Sequence, residues 1–123
     1  MKLGIVFGMI LAASFICGTA PAFAGFGAVA YDEANRKLGF ASNEETQKRA
    51  DEVATKECGG SEACKIRFRS GAKSCSAFAA PEKGSAWGGS VKPNLDSAKL
   101  SALENCQKHT KERCTVLESA CNK

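Results

Sequence analysis

Two stretches of this chain repeat one pattern. A helix-like run ends in a cysteine, a short spacer follows, and a second cysteine opens an alternating, strand-like run. The first is Cys58-Gly59-Gly60-Ser61-Glu62-Ala63-Cys64, and the second runs from Cys106 to Cys114 with a longer spacer. Shifting the numbering by 48 superposes Ala50 on Ala98, Ala54 on Ala102, Cys58 on Cys106 and Thr46 on Asn94. Beyond the helices, Cys64 matches Cys114, Ile66 falls near Val116, and Cys75 corresponds in order to Cys121. A unit written twice and punctuated by cysteine constrains the fold more than any composition does. Sequence alone does not choose among the pairings of six cysteines. The arrangement that respects the repeat joins Cys58 to Cys64, Cys106 to Cys114, and Cys75 to Cys121 across the two halves.

The first 24 residues set the compartment. Lys2 precedes an uncharged run from Leu3 to Cys17, and Ala22-Phe23-Ala24 ends the segment with a small-x-small pattern. These are the basic, apolar and cleavage regions of a secretory signal, which predicts a mature start at Gly25. The run approaches the ~20 apolar residues that span a bilayer, but Gly18 and Pro21 break it, so no stable membrane anchor is expected after cleavage. Ile16 is bulkier than the residue that precedes a lipidated cysteine, and Cys17 leaves with the signal. Residues 25–123 then keep Cys58, Cys64, Cys75, Cys106, Cys114 and Cys121, an even set that reads as three disulfides in a periplasmic or secreted domain. A domain this short has little stability to spare, and each bridge adds roughly 2 to 4 kcal/mol, largely by restricting the unfolded chain. Zinc is disfavoured by the oxidising compartment and by the lack of a C-x2-C knuckle or a second histidine; no cofactor is expected.

Charge narrows the partner. Loss of Lys2 from 17 basic and 13 acidic residues leaves a net charge of +3, well short of the clustered basicity of a nucleic-acid binder.

Along the chain, Phe26 to Tyr31 and Leu38 to Ser42 flank polar turn formers and predict a hairpin. Ala50, Val53, Ala54 and Cys58 form one helical stripe, started by Ser42 with Glu45 or by Thr46 and stopped by Gly59-Gly60. Lys65-Ile66-Arg67-Phe68-Arg69 alternates, which sends Ile66 and Phe68 to one face and the three cations to the other. Cys75 to Ala79 predicts a further strand, Pro81 to Gly84 a separator, Ser85 to Val91 a strand thinned by glycine, and Thr115 to Ser119 the last strand. Asp96 is the expected cap of the second helix, with Leu95 and Leu100 as a hydrophobic staple. The expectation is one α+β domain: a mainly antiparallel sheet with two helices on one face, in two pseudo-repeats of strand, helix, Cys turn and strand at about 25–80 and 84–123.

Gly27-Ala28-Val29-Ala30-Tyr31-Asp32, Leu38 to Ser42, the Ala-rich helix into Cys58-Gly59-Gly60 with Cys64, and Ala86-Trp87-Gly88 before a second Ala-rich helix ending in Cys106 resemble the bacterial exported domain of unknown function 4189 family. The resemblance covers nearly all of residues 26 to 121. It implies an exported, disulfide-bonded α+β domain, a place for some members beside antibacterial effectors as immunity proteins, and no chemistry. Aromatics are few around Trp87 in this chain, and its second half is more charged than the family's pattern.

Chemistry-bearing residues are sparse. His109 is the sole imidazole and lies past the last apolar position of its helix, with no motif for a nucleophile or an orienting acid. Glu44 and Glu45 are adjacent on a helix and diverge, which suits a helix N-terminus better than a carboxylate pair. Ser74 and Ser76 lack a nucleophile-elbow pattern, and Gly88-Gly89 lacks the lysine of a phosphate loop. Two surfaces remain: the basic strand of Lys65, Arg67 and Arg69, which complements an acidic partner while also discouraging edge pairing, and Trp87, a residue type enriched in binding hot spots. The reading is therefore a non-catalytic binding module for a protein or an anionic envelope polymer, without nucleic acid. An immunity-type inhibitor of a toxic envelope hydrolase is the alternative, and an envelope hydrolase the less favoured one.

Overall fold

The computed structural model describes residues 25–123; the expected signal lies outside them. The order is β1 (Phe26–Asp32), β2 (Lys37–Glu44), α1 (Gln47–Cys58), β3 (Lys65–Ser70), β4 (Cys75–Pro81), β5 (Gly88–Lys92), α2 (Leu95–Gln107) and β6 (Cys114–Cys121). Two antiparallel three-stranded sheets form, ordered β2-β1-β3 and β5-β4-β6. The duplicated unit is thus strand, strand, helix, strand. Even its irregularity is duplicated: β3 bulges against β1 between Val29 and Ala30, and β6 bulges against β4 between Phe78 and Ala79. β4, expected to end the first repeat, is instead the central strand of the second, because it pairs with β5 and β6 rather than with β3.

Three apolar clusters define the layers. α1 packs Ala50, Ala54 and Cys58 on Ala28, Ala30 and Ala41, and α2 packs Ala98, Ala102 and Cys106 on Ala77 and Ala79. Between the sheets lie Val29, Tyr31 and Phe40 from one and Phe78 and Ala80 from the other. The α+β, antiparallel, disulfide-stapled character holds, but the single sheet with both helices on one face does not. β1 and β4 are apolar on both sides, small toward the helix and larger on the opposite face, and such strands need cover on each face. The helices therefore lie on the two outer faces of a pair of sheets.

Side chains cap both helices at equivalent places. The Thr46 hydroxyl accepts from the Arg49 amide (3.0 Å) and Asn94 Oδ1 from the Ser97 amide (2.8 Å). Asp96 sits in the first turn of α2 rather than at its cap, where a carboxylate complements the helix dipole. Gly59 and Gly60 adopt positive φ and stop α1, with the Gly60 amide on the Thr55 carbonyl. α2 ends without glycine. Gln107 closes its longer spacer, donating to the Glu112 carbonyl (2.8 Å) and accepting from the Cys114 amide (2.9 Å).

The disulfides are Cys58–Cys64, Cys75–Cys121 and Cys106–Cys114, the arrangement the repeat implies. Next to the second, buried Asn122 ties the units together: its amide donates to Ser70 Oγ and the Gly71 carbonyl (both 2.9 Å), and its Oδ1 accepts from the Asn43 amide (2.9 Å). No helix among the described residues is long and apolar enough to cross a membrane.

Candidate functional site

The expected basic face does not form. Because β3 bulges at Arg67, Lys65 pairs with Tyr31, Ile66 packs toward α1, and Phe68 turns into the space between the sheets. Arg69 reaches α1 and grips Asp51 through two nitrogens (Nε to Oδ1 3.0 Å, Nη2 to Oδ2 2.9 Å). This grip holds the Asp51 carboxyl below its ordinary range, with a smaller opposing push from burial. One inserted residue inverts the alternation, so the three cations point to different surroundings.

The bulge instead delivers Arg67 to Trp87, and here two expected site residues do meet. The guanidinium lies 5.9 Å from the indole centroid, its Nε donates to the Tyr31 carbonyl (3.2 Å), and its Nη2 is 3.6 Å from Glu33 Oε1. The same Glu33 oxygen accepts from Trp87 Nε1 at 2.9 Å. The indole stacks on Phe78 (5.6 Å, 11°) and Phe68 (6.4 Å, 15°) and meets Tyr31 edge-on (6.4 Å). Phe68 reaches this place because Gly89 has no side chain; a Cβ there would overlap its ring. Burial pushes the Tyr31 hydroxyl above its usual range.

Both hairpins meet at this end. Asp32 in β1 accepts from the Asn35 amide (3.1 Å) and side chain (2.8 Å), which shapes the first turn and lowers the Asp32 pKa. Arg36, at φ 56°, donates to the carbonyls of Gly84 and Pro81 in the second hairpin. Beside Trp87 opens a cleft of about 570 Å³, lined by Glu33, Ser85, Ala86, Trp87, Asn105 and His109 with the Gly88-Gly89 backbone. Asn105 is fixed by donating to the Gly89 carbonyl (2.9 Å), while His109 is exposed at the rim.

Glu33 and Asn105 carry no motif: one is a hairpin-turn residue and the other sits beside Cys106, and only the topology brings them to Trp87. Glu44 ends β2 and Glu45 lies between β2 and α1, so the two acids precede the helix rather than lie on it as expected, and Ser76 is buried in β4. Among the described residues, no group of three His, Cys, Asp or Glu gathers to hold a metal.

A search of curated proteins gave no match. Among solved structures the chain resembles the NMR structure of Rv1813c from Mycobacterium tuberculosis, with 23% identity and a TM-score of 0.58, over 99% of this chain and 96% of that one. At that identity the likeness concerns the fold. The model for the domain of unknown function DUF4189 matches residues 26–121, nearly all of the described structure, and the chain belongs to that family.

Proposed function

We propose that this chain is an exported, non-catalytic binding module whose recognition surface is the end of the sandwich where the two hairpins meet. The observation that carries this reading is Trp87, held by Phe78, Phe68, Tyr31, Arg67 and Glu33 at the wall of an open cleft. An aromatic group ordered before binding loses little entropy on complex formation. Asn105, Ser85 and His109 add donors and acceptors around it. Three disulfides fit an oxidising compartment outside the cytoplasm.

The test uses immobilised protein to capture partners from envelope extract. His109→Glu and Ser85→Arg alter the exposed rim, and Lys48→Glu on α1 is the distant control. The reading expects loss of the captured partner with both rim variants and retention with the control. Capture unchanged by either rim variant would exclude this surface, and turnover of peptidoglycan by pure protein would overturn the non-catalytic assignment.

A further inference from the structure

Besides the carboxylate they share, the donors around Trp87 have anchors of their own. Arg67 is positioned by its bond to the Tyr31 carbonyl and by the indole, and Trp87 by three aromatic rings. Both nevertheless converge on a single oxygen, Glu33 Oε1. Glu33 is the more exposed partner of the pair: its side chain is 46% exposed, against 21% for Arg67, so solvent screens its side of the interaction. It sits in the β1–β2 turn, free of the core, and itself lines the open cleft.

From this geometry we infer that Glu33 is an internal placeholder, and that the seat formed by Trp87 Nε1–H and the Arg67 guanidinium receives the acidic side chain of a protein partner. The inference rests on the hairpin end being the recognition surface and names the chemistry recognised there. Guanidinium and indole N–H are both donors only, so the seat takes an acceptor and prefers an anionic one. A planar carboxylate suits Arg in particular. A protein carboxylate is favoured over other anions because the present occupant is one, presented from a short turn. The surroundings complement it: Arg36 lies in the same turn as Glu33. Exchange replaces one carboxylate with another at the same donors, and the internal group lowers affinity by the fraction of time it fills the seat.

Trp87 is the single tryptophan, so its fluorescence reports on the seat directly. The experiment titrates the oxidised protein with hexaglutamate, with hexalysine and with an oligouronate, comparing wild type with Glu33→Ala, Arg67→Ala and Arg67→Lys. Near-ultraviolet circular dichroism confirms that each variant is folded. Hexaglutamate is expected to bind Glu33→Ala about tenfold more tightly than wild type, as for removal of a competitor that fills the seat about nine-tenths of the time. Arg67→Ala is expected to lose that binding, Arg67→Lys to weaken it, and hexalysine to give no response. Equal affinity for wild type and Glu33→Ala, or binding indifferent to folded Arg67→Lys, overturns the placeholder. Tighter binding of an oligouronate than of hexaglutamate overturns the protein partner. Failure of all the peptides overturns the ligand class yet leaves the hairpin-end surface standing, because that surface falls only if the rim variants keep the captured partner.

Discussion

Gly39 and Gly88 hold equivalent places in the two units, each lying directly under the last turns of its own helix. Gly39 pairs with Ala30 and Gly88 with Ala79. A Cβ on Gly39 would overlap the Ala54 carbonyl and the Cys58 amide, and one on Gly88 the Ala102 carbonyl and the Cys106 amide. The obstacles are backbone atoms, so no side-chain rotation relieves them. The helices can press their alanines onto the sheets because these strand positions have no side chain, and the same approach brings Cys58 and Cys106 to their bridges.

Gly39→Ala and Gly88→Ala should therefore each cost about 3 kcal/mol, the upper part of the range for forced overpacking. Gly71→Ala, with nothing within 4 Å of the added Cβ, should stay within about 0.5 kcal/mol of wild type. Urea unfolding of the oxidised proteins measures all three.

The bridges should rank by the loop each closes. Cys75–Cys121 spans a separation of 46, Cys58–Cys64 of 6 and Cys106–Cys114 of 8. On the chain-entropy account, replacing the first pair by serine costs about 4 kcal/mol and replacing Cys58 and Cys64 about 2 kcal/mol. Denaturant midpoints of the two double variants should fall in that order, and the reverse order would mean that native packing around Cys58 outweighs loop closure.

The cysteine pairing was legible in the sequence because the repeat aligned Cys58 with Cys106 and left Cys75 and Cys121 as corresponding ends. The caps were half legible: Thr46 superposes on Asn94, yet Asp96 is the more obvious acidic cap in the sequence. Two sheets in place of one were written in β1 and β4, whose apolar residues occupy both faces, but that pattern reads equally as a central strand of one covered sheet. The bulge at Arg67 left no mark. Alternation along Lys65 to Arg69 is perfect in sequence, and only the register against Val29 and Ala30 shows the insertion. The cleft was the least legible feature, since Glu33, Trp87, Asn105 and His109 come from the first turn, the second hairpin and the end of α2, and no local spacing joins them.

Asn122 should matter more than its place beside the C-terminus implies. Asn122→Ala removes a buried amide that serves Ser70, Gly71 and Asn43 and leaves their polar groups without it. The expected cost is about 2 kcal/mol, with faster hydrogen exchange at the Asn43 amide, whereas Lys123→Ala at the exposed terminus should be close to neutral.

Acid should act through Asp51. Its carboxyl is held below the ordinary value of 3.8, first by the Arg69 hydrogen bonds. A depressed folded value means the stabilisation is fully present above the unfolded value and fades as pH falls through the folded one. Stability should therefore drop on acidification below about pH 4, and Asp51→Asn should flatten that drop while lowering stability at neutral pH. Asp32, also lowered by its bonds to Asn35, keeps part of the acid sensitivity in that variant. Parallel curves for wild type and Asp51→Asn would exclude the Asp51–Arg69 pair as a source.

Glu118 should behave in the opposite sense. It pairs with Phe78 across β4 and β6, and its pKa is raised above the ordinary 4.5 by burial and then by the nearby charge of Glu57. Glu57 does not move freely away, because its Oε2 accepts from the Phe40 amide at 3.2 Å. A raised folded value favours the protonated form, so this contribution is present below the unfolded value and is lost as pH rises through the folded one. At pH 7 the ionised carboxylate opposes the fold, and Glu118→Gln keeps the shape while removing the charge. The variant should be more stable than wild type at neutral pH by only a few tenths of a kcal/mol, because Glu118 is exposed and solvent screens its charge, with the advantage closing below about pH 4. Glu57→Gln offers the discriminating comparison. It should relieve the repulsion but weaken the bond to Phe40, so its gain should be smaller than that of Glu118→Gln, and equal gains would mean that repulsion rather than burial dominates at Glu118.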